Sequence, residues 1–149
     1  GTRFVLLDCG EDKPDGTEVY YGMNDFTQYR KDQAQFLQTE LAGPEFTAAA
    51  RKVLIHHIPI YGNAVAKFNP CKELWQPHLA AAGFDVSLNG HLHRYELIEK
   101  GASENNFPVV IGGGYKEENA TVMILKKTGE RLNLRVVHAK GNTLLNRDL

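Results

Sequence analysis

Cysteine is scarce: Cys9 and Cys71 are the only two in 149 residues. Without CxxC spacing they make neither a disulfide framework nor a thiolate metal site, and two free thiols are expected. An excess of basic charge is also missing. The formal net charge is −1, so there is no nucleic-acid footprint and no polybasic patch for a membrane surface. No apolar run is long enough to span a bilayer. Repeats and low-complexity tracts are absent. Gly1-Thr2-Arg3 runs straight into an apolar stretch and lacks the form of a signal peptide, which leaves a longer precursor open. Asn119-Ala120-Thr121 fits a glycosylation sequon, a pattern too common by chance to carry weight.

What remains is the composition of an ordinary globular domain, 42% hydrophobic and 23% charged, long enough for one real core. Arg3-Phe4-Val5-Leu6-Leu7-Asp8 is apolar until Asp8, which suits a strand covered on both faces. Residues Gly10–Gly22 are polar around the turn signal Pro14-Asp15-Gly16. A helix is expected after Asn24-Asp25, with Asp25 and Gln28 as a capping box. Its apolar stripe is Phe26, Arg30, Ala34, Leu37 and Leu41, with Arg30 at the edge, and Gly43-Pro44 stops it. A short helical piece through Phe46 to Ala50 leads into a strand, Lys52 to His57. Asn69-Pro70 starts a second long helix carrying Leu74, Trp75 and Leu79 and ending at Gly83. A strand over Phe84–Leu88 follows. The alternation of strand and helix marks an α/β layered fold with a largely parallel centre. Beyond His93 the apolar runs Tyr95–Ile98, Val109–Ile111, Thr121–Leu125 and Leu132–Val137 read as an antiparallel meander.

Histidine carries the chemical signal. His56 and His57 end one expected buried strand, and Gly90-His91-Leu92-His93 follows another. The 34 residues between His57 and His91 are about one strand–helix–strand unit. Right-handed crossovers then bring both strand ends to one sheet edge, where open α/β sheets bind ligands. On an extended stretch, His91 and His93 point to the same side, and alternation puts His57 opposite His56. Imidazole is the commonest metal donor. His78 and His138 read as inert.

Leu54-Ile55-His56-His57-Ile58-Pro59-Ile60-Tyr61 and Phe84-Asp85-Val86-Ser87-Leu88-Asn89-Gly90-His91-Leu92-His93 resemble the last two metal motifs of the calcineurin-like metallophosphoesterases. The resemblance is closest to the purple acid phosphatase branch, in which an apolar strand runs into His-x-Pro. His57-Ile58-Pro59 fits that pattern, whereas pairing by His-His alone would choose His56. The resemblance implies that His57 and His91 share one metal, that His93 ligates its partner, and that His56 lies behind them. Gly112, Gly113 and Gly114 are similar to a late glycine run in the family, and with Tyr61 they are candidates for a phosphate site or its rim. A plain turn is the competing reading of the glycines.

The resemblance runs from Phe4 to about Val137 and covers only the second half of the family's catalytic domain. The expected fold class is therefore α/β, the second half of a metallophosphoesterase-type sandwich. The earlier motifs, Asp-x-His, Gly-Asp and Gly-Asn-His-Asp/Glu, do not occur. By resemblance the intact parent is a phosphoesterase with two metal ions (Fe, Zn or Mn) about 3.5–4 Å apart, and this chain alone is inactive. Its partners are a phosphate-ester substrate and the N-terminal half of the same domain. An isolated segment is expected to dimerise or swap strands over the exposed faces. The phosphatase branch points to a secreted or periplasmic protein. Loops Gly10–Gly22 and Gly62–Asn69 are candidate rims. Two other readings compete: a non-catalytic interaction domain that keeps the fold, and a structural zinc site of His57, His91 and His93. Structural zinc sites tend to be closed and cysteine-rich, which argues against the latter.

Overall fold

The computed structural model describes residues 1–62 and 67–149. Part of the expected rim loop Gly62–Asn69 lies outside the described residues. Among the described residues, eight strands form two sheets. In the first, β1 (Thr2–Leu6), β2 (Arg51–Ile55), β3 (Val86–Asn89), β4 (Glu96–Ile98) and β5 (Val109–Ile111) lie in the order β1-β2-β3-β5-β4. β1, β2, β3 and β5 are parallel, and β4 runs antiparallel to β5. The second sheet is an antiparallel meander of β6 (Thr121–Thr128), β7 (Arg131–His138) and β8 (Thr143–Asp148). The single meander expected after His93 is thus divided. After β3 the chain skips one strand position to form β4 and then turns back, so β5 fills the gap, antiparallel to β4 and parallel to β3.

Three helices, α1 (Phe26–Ala42), α2 (Pro44–Thr47) and α3 (Pro70–Leu79), cover one face of the first sheet. Strand alternation sorts the side chains. Val5, Leu54, Val109 and Ile111 pack toward the helices with Leu37, Phe46, Trp75 and Leu79. Val53, Val86, Leu88 and Val110 face the second sheet and meet Leu132, Leu134 and Val136. The two sheets sandwich one apolar core, and the helices close another. β1 departs from expectation. It is an edge strand, and Phe4 and Leu6 on its sheet-facing side are 45% and 64% exposed, because the second sheet packs over β2, β3, β5 and Leu97 of β4 but not over β1.

Helix starts show how local chemistry sets the frame. α3 begins as read: Asn69 accepts a hydrogen bond from the Lys72 N–H at 3.3 Å and Pro70 opens the first turn. α1 does not. Asp25 makes no capping bond. Asp15, in the turn ahead of the helix, takes the Thr27 N–H at 2.9 Å and its hydroxyl at 2.7 Å. A carboxylate at a helix N-terminus satisfies an orphan donor and the dipole together. Arg30 is also misplaced by the sequence reading. It is 2% exposed, not at the stripe's edge, and its guanidinium donates to the carbonyls of Cys9 and Glu11, both at 3.0 Å. The Asp15 carboxylate lies 3.4 Å away, and the rings of Phe26 and Phe68 flank the cation.

Candidate metal centre

Both histidine motifs lie where β2 and β3 end, side by side in a parallel pair. Each strand stops in a different way. After Ile55 the chain turns at His56-His57-Ile58, and the Gly90 N–H donates to the His57 carbonyl at 2.9 Å, tying the two exits together. Gly90 permits that approach: a Cβ there would stand 3.1 Å from His57 Nδ1. Beyond Gly90, His91 and His93 adopt φ of 70° and 54°. The stretch is therefore coiled rather than extended, and alternation does not set the ring directions. A left-handed backbone is uncommon outside glycine, and two such residues within three positions splay the rings.

His57 and His91 meet edge to face, with ring centroids 5.4 Å apart. His93 turns toward Tyr115, at 5.5 Å. The His57 pKa is lowered chiefly by burial, then by His91 and His93, with Asp8 opposing. A neutral imidazole is the form that donates to a metal. His91 Nε2 lies 3.3 Å from Asp12 Oδ2. The Asp12 carboxyl is held below its usual range mainly by the hydrogen bond from Lys13, with a smaller contribution from His91. Asp12 carries no sequence signal, because it sits in an irregular polar loop. Its placement follows from Arg30 and Asp15 fixing that loop.

His56 behaves differently. Its ring is buried edge-on to Trp75 at 5.6 Å, with Nδ1 2.8 Å from the Ile58 carbonyl and Nε2 3.3 Å from Ser87 Oγ. Asn89 donates to the His56 carbonyl at 2.8 Å. Burial pushes the His56 pKa down to about 4. The two adjacent histidines thus face opposite sides of the sheet, His56 inward and His57 toward His91.

Tyr61 does not line a rim. It is 2% exposed and packs on Phe107 at 6.0 Å, and burial pushes its phenol up to about 12. Gly112, Gly113 and Gly114 lie between β5 and β6. A Cβ on Gly113 would fall 1.6 Å from the Asn119 carbonyl oxygen, so close packing of this loop demands glycine there. Gly114 lies against His93. Together with Tyr115, Lys116 and Asn119 these two line a cavity of about 190 Å³. His78 lies in the last turn of α3, and His138 Nε2 donates to the Glu118 carbonyl at 3.0 Å.

The residues fit a metal in part. His57 and His91 form one donor pair, with Asp12 oriented on the second ring. Among the described residues no group of three or more His, Cys, Asp or Glu is placed to hold an ion. No helix of the described residues is long and apolar enough to cross a membrane.

No protein-family profile matches the chain, and no curated protein matches it in sequence. Among solved structures it is similar to GAP50, the anchor in the inner membrane complex of Plasmodium, with a TM-score of 0.64, 17% identity and 99% of this chain covered. The chain spans 49% of that GAP50 chain. A conserved uncharacterized protein from Streptococcus pneumoniae TIGR4, described as a predicted phosphoesterase, also superposes, with 98% of this chain and 95% of that one covered. At 5% identity and a TM-score of 0.37 that second likeness supports no argument. The chain shares its fold with that GAP50 chain along nearly its whole length.

Proposed function

We propose that this chain is the ligand-bearing C-terminal portion of a metal-dependent phosphoesterase. The observation that carries the reading is the meeting of the His57 and His91 rings, 5.4 Å apart, at the ends of adjacent parallel strands. In this reading His57 and His91 hold one metal and His93 contributes to a second, with Fe, Zn or Mn as the ions. When bound, such ions polarise a phosphoryl oxygen and lower the pKa of bound water. The chain's own residues do the rest. Burial and the flanking imidazoles favour the neutral form of His57, Asp12 steadies the His91 ring, and the Gly90–His57 backbone bond fixes the spacing. Left-handed backbone at both His91 and His93 is the kind of strain that functional sites retain. The cavity lined by His93, Gly114, Tyr115, Lys116 and Asn119 is where the ester lies.

The remaining ligands come from an N-terminal half of the same domain, which this reading seats against exposed Phe4 and Leu6 on edge strand β1. Alone, the segment covers that face by dimerising or exchanging strands, binds metal weakly and turns over little or nothing. Secretion or a periplasmic location belongs to the same reading. A second reading, a non-catalytic interaction domain, is favoured by the lack of a three-donor group among the described residues and by the anchor role named for GAP50.

Hydrolysis of a simple aryl phosphate by the full-length parent, with Mn²⁺, Zn²⁺ or Fe supplied, separates the two. The phosphoesterase reading predicts turnover that falls about a thousandfold or more in His57→Ala and His91→Ala, because each removes a ligand. A parent that does not hydrolyse the ester with any of these metals favours the interaction domain.

A further inference from the structure

Cys9 and Cys71, 62 positions apart in sequence, are brought together in the core. They are 4% and 2% exposed. Cys9 follows β1, and Cys71 is the second residue of α3. Cys71 Sγ lies 4.0 Å from the Cys9 carbonyl, and Cys9 Sγ lies 3.5 Å from the Ile58 carbonyl. The Cys71 sulfur therefore sits against the backbone of Cys9 itself.

Their surroundings divide the roles. The Cys71 thiol is pulled below its ordinary value first by the hydrogen bond from Cys9 and then by the Arg30 guanidinium, against burial. It also sits in the first turn of a ten-residue helix, where the backbone N–H groups favour a thiolate. Cys9 is raised by the same pairing and by burial. One sulfur is thus suited to attack and its neighbour to resolve, although the sequence spacing suggests two unrelated free thiols.

We propose that Cys9 and Cys71 form an intramolecular disulfide when the chain folds with a small-molecule disulfide as oxidant. The Cys71 thiolate attacks one sulfur of that disulfide, which releases the other half as a thiolate. Cys9 then loses its proton to solvent and attacks the Cys71 sulfur of the mixed disulfide, expelling the second thiolate. Two protein thiols are oxidised and one external disulfide is reduced to two thiols. The bond pins the loop after β1, which carries Asp12 to His91, to the start of α3. It closes a long loop, the case in which a cross-link restricts the unfolded chain most.

The test is to refold the chain in reduced and oxidised glutathione, quench in denaturant and alkylate. The proposal expects no alkylation, a mass lower by two hydrogens, and a tryptic peptide of residues 4–30 joined to residues 68–72. Reductant should then lower Tm by about 5–15 °C and leave Tm unchanged in the Cys9→Ser, Cys71→Ser double variant. Two alkylated cysteines, or a disulfide joining two chains, would overturn it. The mass readout stands even where the serine variant does not fold.

Discussion

Arg30→Ala should destabilise the chain by about 3–5 kcal/mol in urea unfolding, the cost of removing one member of a buried polar set. The guanidinium is 2% exposed and joins three groups that have no equal substitute nearby: the Cys9 carbonyl, the Glu11 carbonyl and the Asp15 carboxylate. Removal leaves the buried Cys9 carbonyl without the guanidinium and the part-buried Glu11 carbonyl without its donor, and an orphaned buried acceptor carries its desolvation penalty alone. It also vacates the space between Phe26 and Phe68. Arg30→Lys should recover only part of the loss, because one ammonium cannot reach all three partners in the planar geometry of the fork. The loop from Cys9 to Asp15 then loosens and Asp12 leaves His91. A loss below about 1 kcal/mol would mean that the loop is held by something else.

Acid should unfold the chain over a defined window. His56 is neutral in the folded protein down to about pH 4, whereas an unfolded histidine takes up a proton near pH 6.5. Between those values the unfolded state binds the extra proton, so stability falls as pH drops. The contribution is whole above about pH 6.5, erodes through the interval, and is gone below about pH 4, a loss of roughly 3 kcal/mol. Burial against Trp75 is the leading cause of the depression, and the proximity of His57 adds to it. Urea midpoints at several pH values measure the slope. His56→Met, which does not titrate, should flatten it. An unchanged slope in that variant would place the acid sensitivity elsewhere.

Much of the frame was legible because short-range rules governed it. Asn69 and Pro70 announced α3, and Gly43-Pro44 stopped α1. The apolar runs before His56 and Gly90 became adjacent parallel strands. Features set by distant partners were not legible. Asp15 caps α1 from outside the helix, and Arg30 looks like a stripe-edge cation until its three oxygen partners are known. β8 was missed because Thr143–Asp148 has little apolar pattern, and it pairs only because β7 offers an edge. β5 joined the first sheet rather than a meander because register with β3 is a tertiary choice.

The candidate centre divides in the same way. Proline two residues on pointed to His57, and its ring does stand by His91. The shared orientation expected for His91 and His93 did not follow, since both residues leave the extended region. Tyr61 was read from its neighbourhood in sequence and proved to be core, because the chain turns inward at Ile60 and Tyr61. Asp12 had no pattern to betray it.

If His57 and His91 together hold a metal, ring-nitrogen NMR of the six histidines during Zn²⁺ titration will show weak binding in which the His57 and His91 ring nitrogens shift together, His78 and His138 stay still, and His57→Ala abolishes the response at His91. Shifts at His57 and His91 no larger than those at His78 would contradict it.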